Sequence, residues 1–364
     1  MVLRYDKRES FAVSKIKEAI PQWLLRDRTG LQGLFADLHQ NDEVFPNHLL
    51  ASSVDGVGTK LLIAEAMGVH DTIGIDLVAM NVNDLATLGK VSPFLFINYI
   101  ACQERIEEEG ITGSIMSGIV KGLEQSDASG ILTQNIRLNM GKGETASVDE
   151  LLGGLREGYG FDVAAAMVGF IRKEDLRQPG GDTLIAFESS GPHSNGFTEL
   201  RHLLLKGDFE ARERFRRHYR GRFSLDDEYE GKTIGRWLLE PTKIYLRAMA
   251  AIAKEHPVFG LNNTGYGLKN LTRITTHDFR LRKVLEPQPI FKLLKKESGY
   301  SDEKLYSTFN MGMGFFVMCQ KQDADSILSI AARHGVRGEV IGAIGPGAGK
   351  VSVESLGLAF ERYA

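Results

Sequence analysis

Cysteine is scarce in this chain of 364 residues: only Cys102 and Cys319 occur, far apart and outside any CxxC or Cys/His cluster. That excludes a disulfide scaffold and a structural zinc site, and it fits a reducing cytoplasm. No stretch approaches the run of about 18 apolar residues that a membrane span requires. The first residues, MVLRYDKRESFAVSKIKEAI, scatter charge through what would be the apolar core of a signal peptide. Strong charge of either sign is also lacking. A formal net charge of −3 gives no overall pull toward nucleic acid or an anionic membrane, so an anionic ligand must be held by a local site. Neither the GxxxxGK[ST] order of a Walker loop nor a GxGxxG between strand and helix is present, which excludes the two commonest nucleotide folds.

What is present in excess is glycine, 40 residues in clusters that read as tight turns and phosphate-approach loops. The length suits two domains, and the second-half start is placed at Lys173–Gly180, a Pro-Gly-Gly stretch, dividing the chain into 1–172 and 173–364. Leu49–Val54 reads as a buried strand, and the spacing between His70 and Gly89 predicts a helix with Leu77, Met80, Leu85 and Leu88 on one face. Pro93–Ala101 and Phe161–Ile171 read as strands, with helix between Glu104 and Glu124. In the second half, strands are expected at Asp182–Glu188, Met313–Cys319 and Glu339–Ile344. Helices are expected at Phe197–Lys206, around Pro241–Lys254 and at Asp323–His334. Strands and helices mix without a strict βαβ repeat, so the fold class is α+β, a mixed α/β chain. The basic stretch Lys206–Arg222 reads as a solvated helix in which Asp208, Glu210 and Glu213 balance the arginines.

The residues that carry chemistry begin at a strand end, with Asp55-Gly56-Val57-Gly58-Thr59-Lys60, and continue with Gly74-Ile75-Asp76 and Asn83-Asp84. Glycines allow backbone to approach a phosphate and a lysine supplies a point charge. Magnesium takes a few carboxylates together with phosphate oxygens. Taken singly, Asp55 reads as a turn residue, Asp76 as a helix cap and Asn83-Asp84 as an exposed face. On a largely apolar helix, however, Asn83 and Asp84 need polar partners.

The run VDGVGTKLLIAEAMGVHDTIGIDLVAMNVNDLATLG resembles the signature segment of the aminoimidazole ribonucleotide synthetase (phosphoribosylformylglycinamidine cyclo-ligase) family. Further likenesses follow in order: GLQGLFADL, GETA at Gly143–Ala146, SSGPHSNGF at Ser189–Phe197, GKTIGRWLLEPTKIY and FNMGMGFFV. The resemblance implies two α/β domains and a homodimer paired through the N-terminal domains. It implies ATP-dependent closure of formylglycinamidine ribonucleotide to aminoimidazole ribonucleotide, giving ADP and phosphate, with Mg²⁺, in purine biosynthesis. In that chemistry the formyl amide oxygen is phosphorylated and the amidine nitrogen attacks the activated carbon. By the same resemblance, Asp55, Asp76 and Asp84 hold Mg–phosphate. Lys60 contacts phosphate, with Gly56, Gly58 and Thr59 beside it. Asn83 and Glu144 line the nucleotide site, Gly30 and Gly33 belong to a closing loop, and His193, Ser194, Asn195 and Gly196 face the ribonucleotide substrate, with His193 and Lys60 as the catalytic candidates. No nucleic-acid or membrane partner is implied.

The chain departs from the family pattern at two places. Gly141-Lys142-Gly143-Glu144-Thr145-Ala146 carries a lysine for a glycine and lacks the Met-Pro-Gly turn that follows in the family. Leu261-Asn262-Asn263-Thr264-Gly265-Tyr266 stands where the family reads HITGGG, so Asn262 replaces a histidine at a position expected to act in catalysis, and an amide cannot titrate near neutrality. Two alternatives therefore stay open: a paralogue phosphorylating another amide, and a nucleotide-binding homologue without turnover.

Overall fold

The computed structural model describes residues 37–40, 45–132 and 136–362, so Gly30 and Gly33 lie outside the described residues. Its strands form two main sheets, one in each half of the chain. The first sheet contains β1 (Asp37–Gln40), β2 (His48–Gly56), β3 (Ser92–Cys102), β4 (Asn139–Met140), β5 (Glu144–Ser147) and β6 (Phe161–Arg172). It runs in the order β1-β2-β6-β3-β4, with β5 also paired to β3. β6 lies antiparallel to both β2 and β3, placing Ala166 opposite Val54 on one side and Ile97 on the other. Alternate residues point to opposite faces. Ala51, Phe96, Ala165 and Met167 are accordingly buried on one face, while Val54, Ile97 and Tyr99 are exposed on the other.

The buried face is covered by the helix Asp71–Ala86, itself crossed by the helix Ile111–Ser126. The crossing is close because glycines make it. A Cβ on Gly74 would lie 2.1 Å from the Ile115 carbonyl oxygen, and one on Gly118 would lie 1.8 Å from that of Asp71. Gly74 therefore serves helix packing, not approach to a phosphate. Leu77, Met80, Leu85 and Leu88 are all buried, but so are Ile73, Val78, Ala79 and Val82. The helix is apolar almost all round because it lies between the first sheet and the second half of the chain.

The second sheet joins β7 (Thr183–Glu188), β10 (Phe259–Asn262), β11 (Asp278–Leu281), β12 (Met313–Cys319), β13 (Gly338–Gly345), β14 (Val351–Val353) and β15 (Leu358–Phe360). Their order is β10-β12-β7-β13-β11-β14-β15. A short hairpin pairs β8 (Glu228–Tyr229) with β9 (Lys232–Thr233). β12 is buried throughout, as an apolar run between neighbours on both sides should be.

Two readings of the sequence are corrected here. Pro241–Tyr245 is not helical; the helix starts at Leu246 and ends at Glu255. The segment is pinned to the Asp71–Ala86 helix, where Asp76 accepts from Thr242 N and Asn83 accepts from Tyr245 N. The basic stretch is not a solvated helix either, since only Glu213–Arg216 is helical. Glu210 is fully buried and takes a two-pronged Arg212 guanidinium at 2.7 and 2.8 Å, while Arg212 also donates to the Gly153 carbonyl.

Candidate active site at the junction of the two halves

The junction is built on one helix. Along Asp71–Ala86, Asp76 and Asn83 reach the Glu240–Tyr245 segment of the second half, and Asp84 reaches β10. Asp76 is wholly buried and its Oδ1 accepts from Lys60 Nζ at 3.0 Å, Thr242 N at 2.8 Å and Thr242 Oγ1 at 2.6 Å, with Oδ2 also 2.8 Å from Lys60. Lys60 donates further to the carbonyls of His193 at 3.1 Å and Glu240 at 2.7 Å. Burial pushes the Lys60 ammonium below its ordinary pKa, and the Asp76 carboxylate opposes that push. A lysine so enclosed, with its donors taken by three neighbours, is a brace between the halves. The expected phosphate contact through Lys60 is not presented in this arrangement.

Asp76 likewise does not join Asp84. The two lie eight residues apart on one helix, which separates them by roughly 12 Å at 1.5 Å rise per residue. No group of three or more His, Cys, Asp or Glu side chains among the described residues is placed to hold a metal ion. Asp55 and Asp84 are brought near each other, while Asp76 stands apart from Asp84, held by Lys60 and Thr242.

Asp55 and Asp84 sit where β2 ends against the helix. Gly56 N donates to Asp55 Oδ1 at 2.8 Å, and Asn81 Nδ2 reaches the Asp55 carbonyl at 3.3 Å, pinning the strand end to the helix. Gly58, at φ +68°, turns the chain toward Thr59 and Lys60 in a conformation a side chain rarely adopts. Asp84 accepts from Asn262 Nδ2 at 3.0 Å, across the junction from β10. Burial raises the Asp84 carboxyl to about 7; the Asn262 hydrogen bond opposes this, the Asp55 charge adds to it and the Arg273 guanidinium lowers it. Burial also raises Asp55, against the Gly56 hydrogen bond. Two carboxyls held above their usual range, close enough to feel each other, form a site short of positive charge. Oxygen donors of this kind suit a divalent cation that keeps phosphate and water ligands.

The remaining expectations separate. Asn83 is buried and spans Lys243 O at 2.8 Å and Tyr245 N at 2.9 Å, so its amide is consumed in joining the halves. His193 is buried with φ +59°, its Nε2 accepts from Ser190 N at 3.3 Å, and its ring stands beside Tyr245. Burial, then the Lys60 and Lys243 charges, hold its pKa down to about 3, so the imidazole is neutral and turned inward. In this arrangement the His193 ring is packed inside the protein, not presented at a surface. Ser194 Oγ lies 3.3 Å from Thr242 Oγ1, and Asn195 N lies 3.5 Å from the Pro192 carbonyl; both side chains are half-buried. Gly196, at φ +70°, opens the helix Phe197–Leu204, and a Cβ there would meet the Phe309 ring at 2.6 Å. Thr59 Oγ1 is 3.0 Å from Thr198 Oγ1 on that helix. Glu144 is exposed on β5 and pairs at 3.5 Å with Lys142, which is 90% exposed.

Sequence reasoning missed Thr242, Lys243 and Glu240. Their signal was Pro241, which disfavours helix at the residue before it, together with the need of Asp76 and Asn83 for partners.

A model of the AIR synthase related protein N-terminal domain matches residues 40–171, and one of the C-terminal domain matches residues 180–354. The chain is 37% identical over 305 residues to the phosphoribosylformylglycinamidine cyclo-ligase of Methanosarcina mazei, covering 82% of this chain and 81% of that one. It is 36% identical over 330 residues to the enzyme of that name from Lactobacillus acidophilus, covering 86% of each. Among solved structures, AaThiL complexed with AMPPCP and TMP superposes with TM-score 0.55 at 14% identity, over 97% of this chain and 96% of that one. Phosphoribosylformylglycinamidine synthase II from Thermotoga maritima superposes with TM-score 0.51 at 12% identity, over 93% of this chain and 47% of that longer one. The structural likenesses establish the shared two-domain fold, and the sequence matches add the closer kinship: the chain belongs to the AIR synthase related family, among the phosphoribosylformylglycinamidine cyclo-ligases.

Proposed function

We propose that this chain closes formylglycinamidine ribonucleotide to aminoimidazole ribonucleotide at the junction of its two halves, at the expense of ATP and with Mg²⁺. The observation that carries the reading is the Asp55–Asp84 pair, met by Asn262 from β10, in a family whose named relatives are cyclo-ligases. Asp55 and Asp84 would hold the metal, whose charge relieves the carboxyls that burial has raised. ATP supplies the phosphoryl group that makes the formyl oxygen a leaving group. The chain's own part is placement. Asn262 fixes one oxygen of Asp84, Asn81 fixes the end of β2, and Lys60 with Asp76 holds the Glu240–Tyr245 segment in line. Catalysis of this kind is chiefly positioning and charge neutralisation. Asn262 orients and does not exchange a proton, because an amide has no titration near neutrality.

The same proposal divides the chain at 172/173 into an N-terminal unit for ATP, metal and pairing and a C-terminal unit for substrate, and it locates the protein in the cytoplasm. Pairing is supported by the bare face of the first sheet. Val54 is 75% exposed in a strand interior, and Ile97 and Tyr99 are exposed on the same face two strands away. A contiguous apolar sheet face of this kind marks an interaction surface. Its occupant is read as the same face of a second copy.

The test is product formation from formylglycinamidine ribonucleotide, ATP and Mg²⁺, following ADP and aminoimidazole ribonucleotide together. Stoichiometric appearance of both, abolished by Asp84→Ala, is expected. ADP without the aminoimidazole, or binding without ADP, would move the chain to another amide substrate or to a non-catalytic role.

A further inference from the structure

A cavity of about 540 Å³ lies between the helices Asp71–Ala86 and Ile111–Ser126 of the first half and Leu246–Glu255 and Ala324–Arg333 of the second. Asp55, Asp84 and Asn262 do not line it. Its charge is unbalanced. The Glu240 carboxylate in the wall is paired with Lys232 at 2.6 Å, and the Lys243 ammonium is paired with Glu188 at 2.7 Å. Arg247 and Arg333 are left over. Among the described residues neither meets a carboxylate, and Arg333 reaches only Ser329 Oγ, at 3.1 Å. Both guanidiniums act on His334, whose pKa burial lowers first and the two positive charges lower further. Arg247 and Arg333 both line the cavity. Ile75, Ile244 and Val336 supply apolar wall.

Two guanidiniums in the lining of one cavity, neither meeting a carboxylate among the described residues, match a dianionic phosphate, which guanidinium forks bind in two-pronged fashion. The volume is that of a small-molecule site, and its lining mixes polar and charged groups with apolar ones. We infer that this cavity binds a phosphate monoester, its phosphate held by Arg247 and Arg333 and its body against Ile75, Ile244 and Val336. The wall includes Glu240 and Thr242, which are hydrogen-bonded to Lys60 and Asp76, so an occupant touches the brace between the halves.

Ribose 5-phosphate is the probe, titrated calorimetrically into the whole protein without ATP. Saturable binding is expected, weakened about tenfold or more in Arg247→Ala/Arg333→Ala. The single variant Arg333→Gln, at an exposed helix end, should show a smaller loss in the same direction and guards against misfolding of the double variant. Equal binding by parent and variants, or no binding by the parent, overturns the inference. Turnover kinetics then separate two sources of the phosphate, and this arm alone rests on the ring-closing reading. A raised KM for formylglycinamidine ribonucleotide at unchanged kcat assigns the site to the substrate's own phosphate. An unchanged KM beside lost ribose 5-phosphate binding assigns it to a separate phosphorylated ligand. Because the calorimetric arm involves no turnover, it fails or succeeds independently of ring closure.

Discussion

Lys60 Nζ lies 2.8 Å from Asp76 Oδ2, and neither side chain is exposed to any measurable extent. Removing one member leaves the other charged and unpaired inside the protein, which costs about 3–5 kcal/mol. Lys60→Met and Asp76→Asn should each lower the denaturant midpoint strongly. A double-mutant cycle should show large coupling, because the second change removes the charge that the first has stranded. Additive losses would show that the pair is not a unit.

Asp84 yields a pH signature. Its carboxyl titrates at about 7 in the folded chain against an ordinary 3.8, so between those values the folded state keeps a proton that the unfolded state has lost. Stability therefore falls as pH rises through that window. Asp84→Asn keeps an acceptor for Asn262 and removes the charge. The melting temperature of this variant should exceed the parent's above pH about 7, with the gap closing toward pH about 4. A constant gap across the range would refute the assignment.

His193 should contribute no limb to a pH–activity profile. Its pKa is held down to about 3, so the ring stays neutral wherever the enzyme would work. His193→Asn suits the positive φ, since asparagine adopts it more readily than most residues. The expected result is reduced activity with both limbs of the kcat/KM profile unmoved. A limb that vanishes with the imidazole would restore it to an acid–base role.

Asn262→Ala frees one oxygen of Asp84 and should reduce turnover by about a hundredfold, the usual scale for losing one fixed donor in a catalytic site. Stability should change far less. Titration of activity against Mg²⁺ should show a raised metal requirement, which a purely structural role of Asn262 would not produce.

Ile97→Asp puts a charge at one end of the row Val54–Ala166–Ile97 on the open sheet face. If two copies pair through this face, sedimentation should shift from dimer to monomer while the circular dichroism spectrum is preserved. An unchanged mass would place any pairing elsewhere.

The secondary structure was legible where the residues themselves decide it. The helix Asp71–Ala86 and the long strands β3, β6 and β12 follow from apolar spacing, because each has one identity at every residue along its length. The short strands β11, β14 and β15, of four, three and three residues, were not legible, being too brief for a period to show. Pro241–Tyr245 was misread because its shape is imposed by Asp76 and Asn83, some 160 residues earlier in the chain. That Asp55 and Asp84 come near each other could be suspected from the motif, and that Asp76 stands apart from Asp84 needed only the helical rise. Nothing local to Lys60 announces that its three acceptors come from three separate segments.

The polar seam along the Asp71–Ala86 helix bears on how the protein can be divided. Severing the chain near residues 177–181 would leave Asp76 and Asn83 in one fragment with no partner from the other, and Thr242 N and Tyr245 N in the other with no acceptor from the first. Each fragment would also expose the apolar flank that now meets its neighbour. The halves are therefore two folds but one thermodynamic object: separately expressed they should be insoluble or molten, and co-expressed they should reassemble, with the seam acting as the recognition code.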